Sequence, residues 1–132
     1  MPAIHVPASS LALRAGPSAL TLVRERGLDA NDIDIMPGAS GGAKWLAIGG
    51  LDRYLFGEFL QAPRTQPLHL IGSSIGSWRM ACLAQRDPVA ALARGHHAYI
   101  YDQRYTRRPS AREVTEVLTR ALDSLLGPDG VD

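Results

Sequence analysis

Two stretches of this sequence carry residues suited to acyl chemistry, and both satisfy G-x-S-x-G: Gly72-Ser73-Ser74-Ile75-Gly76 and Gly38-Ala39-Ser40-Gly41-Gly42. The pattern has a physical basis. A serine at the tip of a sharp strand-to-helix turn presents its hydroxyl in strained backbone geometry, and the flanking positions must be small for the turn to close. Apolar Leu68-His69-Leu70-Ile71 leads into Gly72, and a mostly apolar segment from Ser77 follows Gly76. The start of that second segment would add partial positive charge where an anionic intermediate forms. Ser74 is therefore the candidate nucleophile, with Gly72 and Gly76 as the small residues that let the turn close. The plain alternative is a strand-to-helix turn that merely contains serines.

The Gly38 stretch reads differently. Pro37 stands where a strand should lead directly into the turn, which makes Ser40 the poorer nucleophile. Consecutive glycines instead allow backbone N–H groups to converge on an anion, reinforced by a following helix. Gly41 and Gly42 are the candidate oxyanion donors, and Lys44, the chain's one lysine, would support the loop electrostatically. Two such loops at the ends of neighbouring parallel strands would lie side by side. A tight turn required only for packing is the alternative. A nucleotide site of the G-x-x-x-x-G-K-[ST] type fits poorly. Gly38 and Lys44 are correctly spaced, but Ala43 replaces the second glycine and Trp45 replaces the metal-binding hydroxyl.

Other chemistry-bearing residues have simpler readings. His69 lies within the expected strand and should pack against a neighbour. His96-His97 could serve a Ser-His-Asp triad of the α/β-hydrolase kind, and no His or carboxylate spacing suggests a metal site. Tyr99, Tyr101 and Tyr105 interleave with Arg104, Arg107 and Arg108, a pattern read as solvated arginines on a loop. Trp45, Tyr54, Phe56 and Phe59 could line an acyl pocket, although core packing explains most of them.

The elements that must position these residues follow from periodicity and caps. Pro17 suits the first turn of a helix over 18–26, closed by Gly27. Ile33 to Met36 alternates like a short strand. A helix is expected from Trp45 to about Leu60, with Leu51, Leu55 and Phe59 on one stripe. Leu68 to Ile71 reads as a buried parallel strand, and Ser77 to Arg86 as a helix apolar almost all round. Asp87-Pro88 caps a short helix to about Arg94. The stretch 96–105 is ambiguous between strand and loop. Ser110-Ala111-Arg112-Glu113 is a capping box opening an amphipathic helix that ends at Gly127, with Val114, Val117, Leu118, Ala121, Leu122, Leu125 and Leu126 on its apolar face. This order implies an α/β fold with three layers and a mainly parallel sheet.

Composition narrows the setting. The chain has 132 residues, 45% hydrophobic and 20% charged, with a formal net charge of +1. That suits one globular domain over 1–132 and gives no electrostatic reason to expect nucleic acid as a partner. The single cysteine, Cys82, excludes an internal disulfide. No apolar run is long enough to span a membrane, and the residues from Met1 to Pro7 lack the features of a secretory signal. A cytoplasmic location is the expectation.

The glycine-rich loop Ser40-Gly41-Gly42-Ala43-Lys44, then a helix, then a strand into Gly72-x-Ser74-x-Gly76, resembles the patatin-like phospholipases. The resemblance covers roughly residues 33–84. Gly41, Gly42 and Lys44 match the family's D-G-G-G-x-[RK]-G loop, while Ala39, Ser40 and Trp45 depart from it. It implies a three-layer α/β/α serine acyl hydrolase with a Ser-Asp dyad, Ser74 as nucleophile, and a lipid or other ester as substrate, met in transient contact with a membrane surface. No cofactor or metal is implied. The family's aspartate lies in a downstream D-G-[GA] motif. Asp129-Gly130-Val131 matches only its first two letters, so the chain is expected to be an N-terminal part of such a domain, with little turnover alone. A non-catalytic module holding a phosphate or an acyl ligand is the alternative of a different class.

Overall fold

A computed structural model of the chain describes residues 14–128. Asp129, the one aspartate weighed as a base, lies outside the described residues. The fold is mixed α/β and mostly helical, around a small parallel sheet. Helix α1 (Pro17–Arg26) opens on proline and closes at Gly27, whose φ of 82° is the left-handed geometry glycine accepts. Strand β1 (Ile35–Gly38) and strand β2 (His69–Gly72) pair in parallel, with Ile35 opposite His69 and Gly38 opposite Gly72. Between them lie a 3-10 run over Gly42–Ile48 and helix α2 (Gly49–Gly57). Helix α3 (Ile75–Leu83), helix α4 (Pro88–His97), a π-turn over Ala98–Asp102 and helix α5 (Ala111–Leu126) follow.

Strand β1 begins two residues later than its alternation suggests and runs through Pro37. The hydrogen bonds explain why this is tolerated. The His69 N–H donates to the Asp34 carbonyl and the Ser73 N–H to the Gly38 carbonyl. The even-numbered residues of β1 thus face β2, and the missing N–H of Pro37 falls on the side away from it, where no ladder bond is lost.

The sheet buries one face only. Met36 and Leu70 pack against a cluster of Ala30, Phe56, Leu60 and Met80. On the opposite face Ile35 and Ile71 are 60% and 63% exposed, and His69 is exposed rather than packed against a neighbour. A buried parallel strand is therefore half right for β2.

Helix α3 packs against α4 and both strands. One side of it joins the first cluster through Met80. The other joins Trp45, Ala91, Leu92 and Leu125 through Ile75 and Cys82. Helix α4 is capped as expected, with the Asp87 carboxylate accepting from the Ala90 N–H at 2.9 Å, and continues three residues beyond Arg94. Helix α5 buries Val117, Ala121 and Leu125. Its Ser110 hydroxyl accepts from the Glu113 N–H, but the Glu113 carboxylate turns to the Thr106 N–H and hydroxyl at 2.7 and 2.9 Å.

The single helix expected over 45–60 is instead 3-10, then α, then 3-10 again. Leu55 and Phe59 of the expected stripe pack at the edge of the core, and its centre is shifted by one residue. Asp52, Phe56 and Leu60 face inward, while Leu51 is half exposed.

Candidate active site

Ser74 is the N-cap of α3, two residues beyond the end of β2, with φ 54° and ψ −128°. Among the described residues it is the one non-glycine at positive φ. Such a conformation costs about 1–3 kcal/mol and persists only where its surroundings enforce it. The enforcement is visible in two glycines. A β-carbon on Gly76 would lie 2.0 Å from the Gly38 carbonyl oxygen, and one on Gly72 would lie 2.5 Å from the Ser77 backbone. The turn therefore closes against β1 and against the first turn of α3 only with hydrogen at both positions. Ser74 is exposed, and its side chain makes no capping hydrogen bond to its helix.

The glycine loop lies beside this tip. Gly38 touches Gly76 directly, and the chain then passes through Gly41 to Gly42, whose φ is 55°. Gly42 and Ser74 share a cleft of about 430 Å³ with Ile75, Ser77, Trp78, Tyr99, Gln103 and Leu118. Gly41 and Lys44 line a neighbouring cleft of about 330 Å³ together with Ser40, Gly76 and Arg79, and Ile75 forms a wall of both. The two predicted donors thus sit on either side of one loop, with Gly42 facing the serine's cleft.

An ion pair ties the two loops' helices together. Arg79, on the helix that begins at the serine, donates from Nε and Nη2 to the two Asp52 carboxylate oxygens at 2.7 and 2.5 Å. Asp52 is fully buried on α2, the helix that follows the glycine loop, and the guanidinium lies over the Phe56 ring at 5.3 Å. A two-pronged pair of this kind fixes orientation as well as distance. Sequence reading missed it because a lone Asp and a lone Arg, far apart in the chain, carry no local signal.

The remaining candidates lie elsewhere. His96 packs edge-on to Trp45 at 4.6 Å and against Gly49, and burial pushes its pKa below the usual imidazole range. His97 stands 3.8 Å from Asp102 and lines a separate cleft with Arg94 and Ser124. No histidine or carboxylate of the described residues lines the Ser74 cleft. Burial pushes the Cys82 thiol up to about 12, which removes it as a nucleophile. Trp45 and Phe56 are core residues, and Tyr54 is exposed and stacked with Phe59. The aromatic lining of the cleft comes from Trp78 and Tyr99 instead. Tyr99 meets Trp45 and Trp78 edge-on, while Tyr101 and Tyr105 stay exposed.

No family model, curated protein or solved structure matches the chain. Among the described residues no helix is long and apolar enough to cross a membrane, and no group of three His, Cys, Asp or Glu side chains is arranged to hold a metal ion.

Proposed function

We propose that the chain carries the nucleophile and oxyanion half of a serine acyl hydrolase of the patatin-like kind, belonging to a three-layer α/β/α domain. The observation that carries this reading is Ser74 at φ 54° on a strand-to-helix turn, in one cleft with Gly42. Strain at a serine that makes no capping bond has no packing benefit, whereas it is the geometry an exposed nucleophile needs. In the reaction, Ser74 Oγ adds to the carbonyl carbon of an ester and the carbonyl electron pair moves to oxygen. The backbone N–H of Gly42, the predicted donor that shares the serine's cleft, stabilises that charge, while Gly41 lines the neighbouring cleft. Collapse expels the alcohol, which takes up the serine's proton. Water then releases the acid and restores the hydroxyl. Lys44 adds positive potential beside the loop.

No His, Asp or Glu of the described residues stands in the cleft to take the serine's proton. An unassisted hydroxyl reacts slowly, so acylation is expected to be slow and confined to Ser74. Treatment with p-nitrophenyl butyrate should leave a butyryl group on Ser74, seen by peptide mass analysis. No adduct, or an adduct on another residue, would overturn the assignment. That no His, Asp or Glu of the described residues lines the cleft also favours a second reading, an acyl-binding module without turnover. A rise in melting temperature with octanamide and no acyl adduct would select it.

A further inference from the structure

Gln103 follows the π-turn Ala98–Asp102 and lines the Ser74 cleft. Its Nε2 is buried and has no hydrogen-bond partner. Buried donors are nearly always paired, so one left open needs a reason. The π-turn supplies the placement. Tyr99, within the turn, and Gln103, which closes it, both line the cleft. Tyr99 Oη would lie 3.7 Å from a β-carbon on Gly42, so this wall closes directly over the donor loop. The Arg104 N–H bonds the Asp102 carbonyl and Arg104 Nε the Tyr101 carbonyl, both at 2.9 Å, which holds the turn in shape. The cleft that Gln103 lines combines apolar Ile75, Trp78, Leu118 and the Tyr99 ring with the hydroxyl residues Ser74 and Ser77.

We infer that Gln103 is a substrate-contacting residue whose carboxamide turns into the cleft when the ligand binds and donates from Nε2 to an oxygen on its acyl group, the apolar chain lying against Ile75, Trp78 and Leu118. The ligand class is a neutral acyl compound, because a carboxamide N–H can bond an uncharged carbonyl oxygen and no Lys, Arg or His of the described residues lines the cleft as a counter-charge to a free carboxylate. A volume of about 430 Å³ lies within the range of small-molecule sites. This inference deepens the hydrolase reading and rests on it for the identity of the reacting serine.

The test compares Gln103→Leu, which keeps the shape and removes the donor, with the unaltered protein. Labelling of Ser74 by an alkyl fluorophosphonate, whose phosphoryl oxygen takes the place of the carbonyl oxygen, should slow about tenfold in Gln103→Leu. The melting temperature without ligand should hold or rise, since an unpaired buried donor has been replaced by an apolar group. A residue with only a structural role would give the opposite pair, a lower melting temperature and unchanged labelling, and that result overturns the inference. Binding of octanamide, followed by its shift of the melting temperature, supplies a readout free of the serine's chemistry. A shift that Gln103→Leu abolishes, with no labelling in either protein, sinks the hydrolase reading and retains the donor. No shift and no labelling in the unaltered protein sink both.

Discussion

The chain holds the same five-residue pattern twice, after each of its two parallel strands, and the two copies adopt different geometries. At 72–76 the serine itself takes the positive φ, and the glycines on either side are pressed against backbone. At 38–42 the left-handed residue is Gly42, and Ser40 is an ordinary exposed loop residue. Gly41 has room around it, with the Lys44 β-carbon at 3.7 Å as the neighbour an added methyl would meet. A pattern of residue types is thus compatible with two local solutions, and packing decides between them. The first copy closes onto Gly38 because Gly76 reaches it. The second is pressed at Gly38 by the same contact, but it opens into a loop beyond it, because Gly41 and Gly42 have no neighbour nearer than 3.7 Å to an added methyl.

The largest expected effect concerns the pair that holds the two copies in register. Asp52→Ala leaves the Arg79 guanidinium half-buried without its partner and should lower stability by about 3–5 kcal/mol in urea unfolding. Loss of less than about 1 kcal/mol would show that the two helices do not depend on it. The glycines give the next contrast. Gly76→Ala drives a methyl group into the Gly38 backbone and should cost about 3 kcal/mol, whereas Gly41→Ala should fall within about 0.5 kcal/mol of the parent. Equal costs would erase the proposed difference between the turns. A smaller effect tests strain. Ser74→Gly should stabilise the protein by about 1 kcal/mol, and Ser40→Gly should give no gain.

The smallest effect separates the glycine loop's surroundings from the serine's by pH. Burial lowers the pKa of His96, and the neighbouring Arg53 adds to this while Asp52 opposes it. The unfolded chain then takes up a proton more readily than the folded one. Stability is accordingly full above the unfolded value of 6.5 and declines as pH falls from there toward the folded pKa. His96→Gln should flatten that part of the profile in thermal unfolding, while Ser74→Gly leaves its slope unchanged.

Legibility in the sequence followed the range of the interactions. Caps were readable because each is a contact within one turn, as at Asp87 with Ala90 and Ser110 with Glu113. The serine turn was readable because glycine at 72 and 76 is a local requirement. The inward stripe of α2 was placed in part: Leu55 and Phe59 pack on the core as read, but Leu51 is half exposed and the fully buried positions belong to Asp52 and Phe56. A carboxylate goes inside only when a distant arginine meets it, and no periodicity announces Arg79. The segment 96–105 was ambiguous for a related reason. Its π-turn arises where the end of α4 packs against α5, so Tyr99 and Gln103 entered the candidate site only once that packing was known.

The central claim is that only one of the two patterned serines is a nucleophile. A fluorophosphonate probe applied to the parent, Ser74→Ala and Ser40→Ala proteins, with the adduct read by intact mass, tests it most directly. A single adduct in the parent and in Ser40→Ala, and none in Ser74→Ala, is the predicted outcome. An adduct that survives in Ser74→Ala, or disappears in Ser40→Ala, would contradict it.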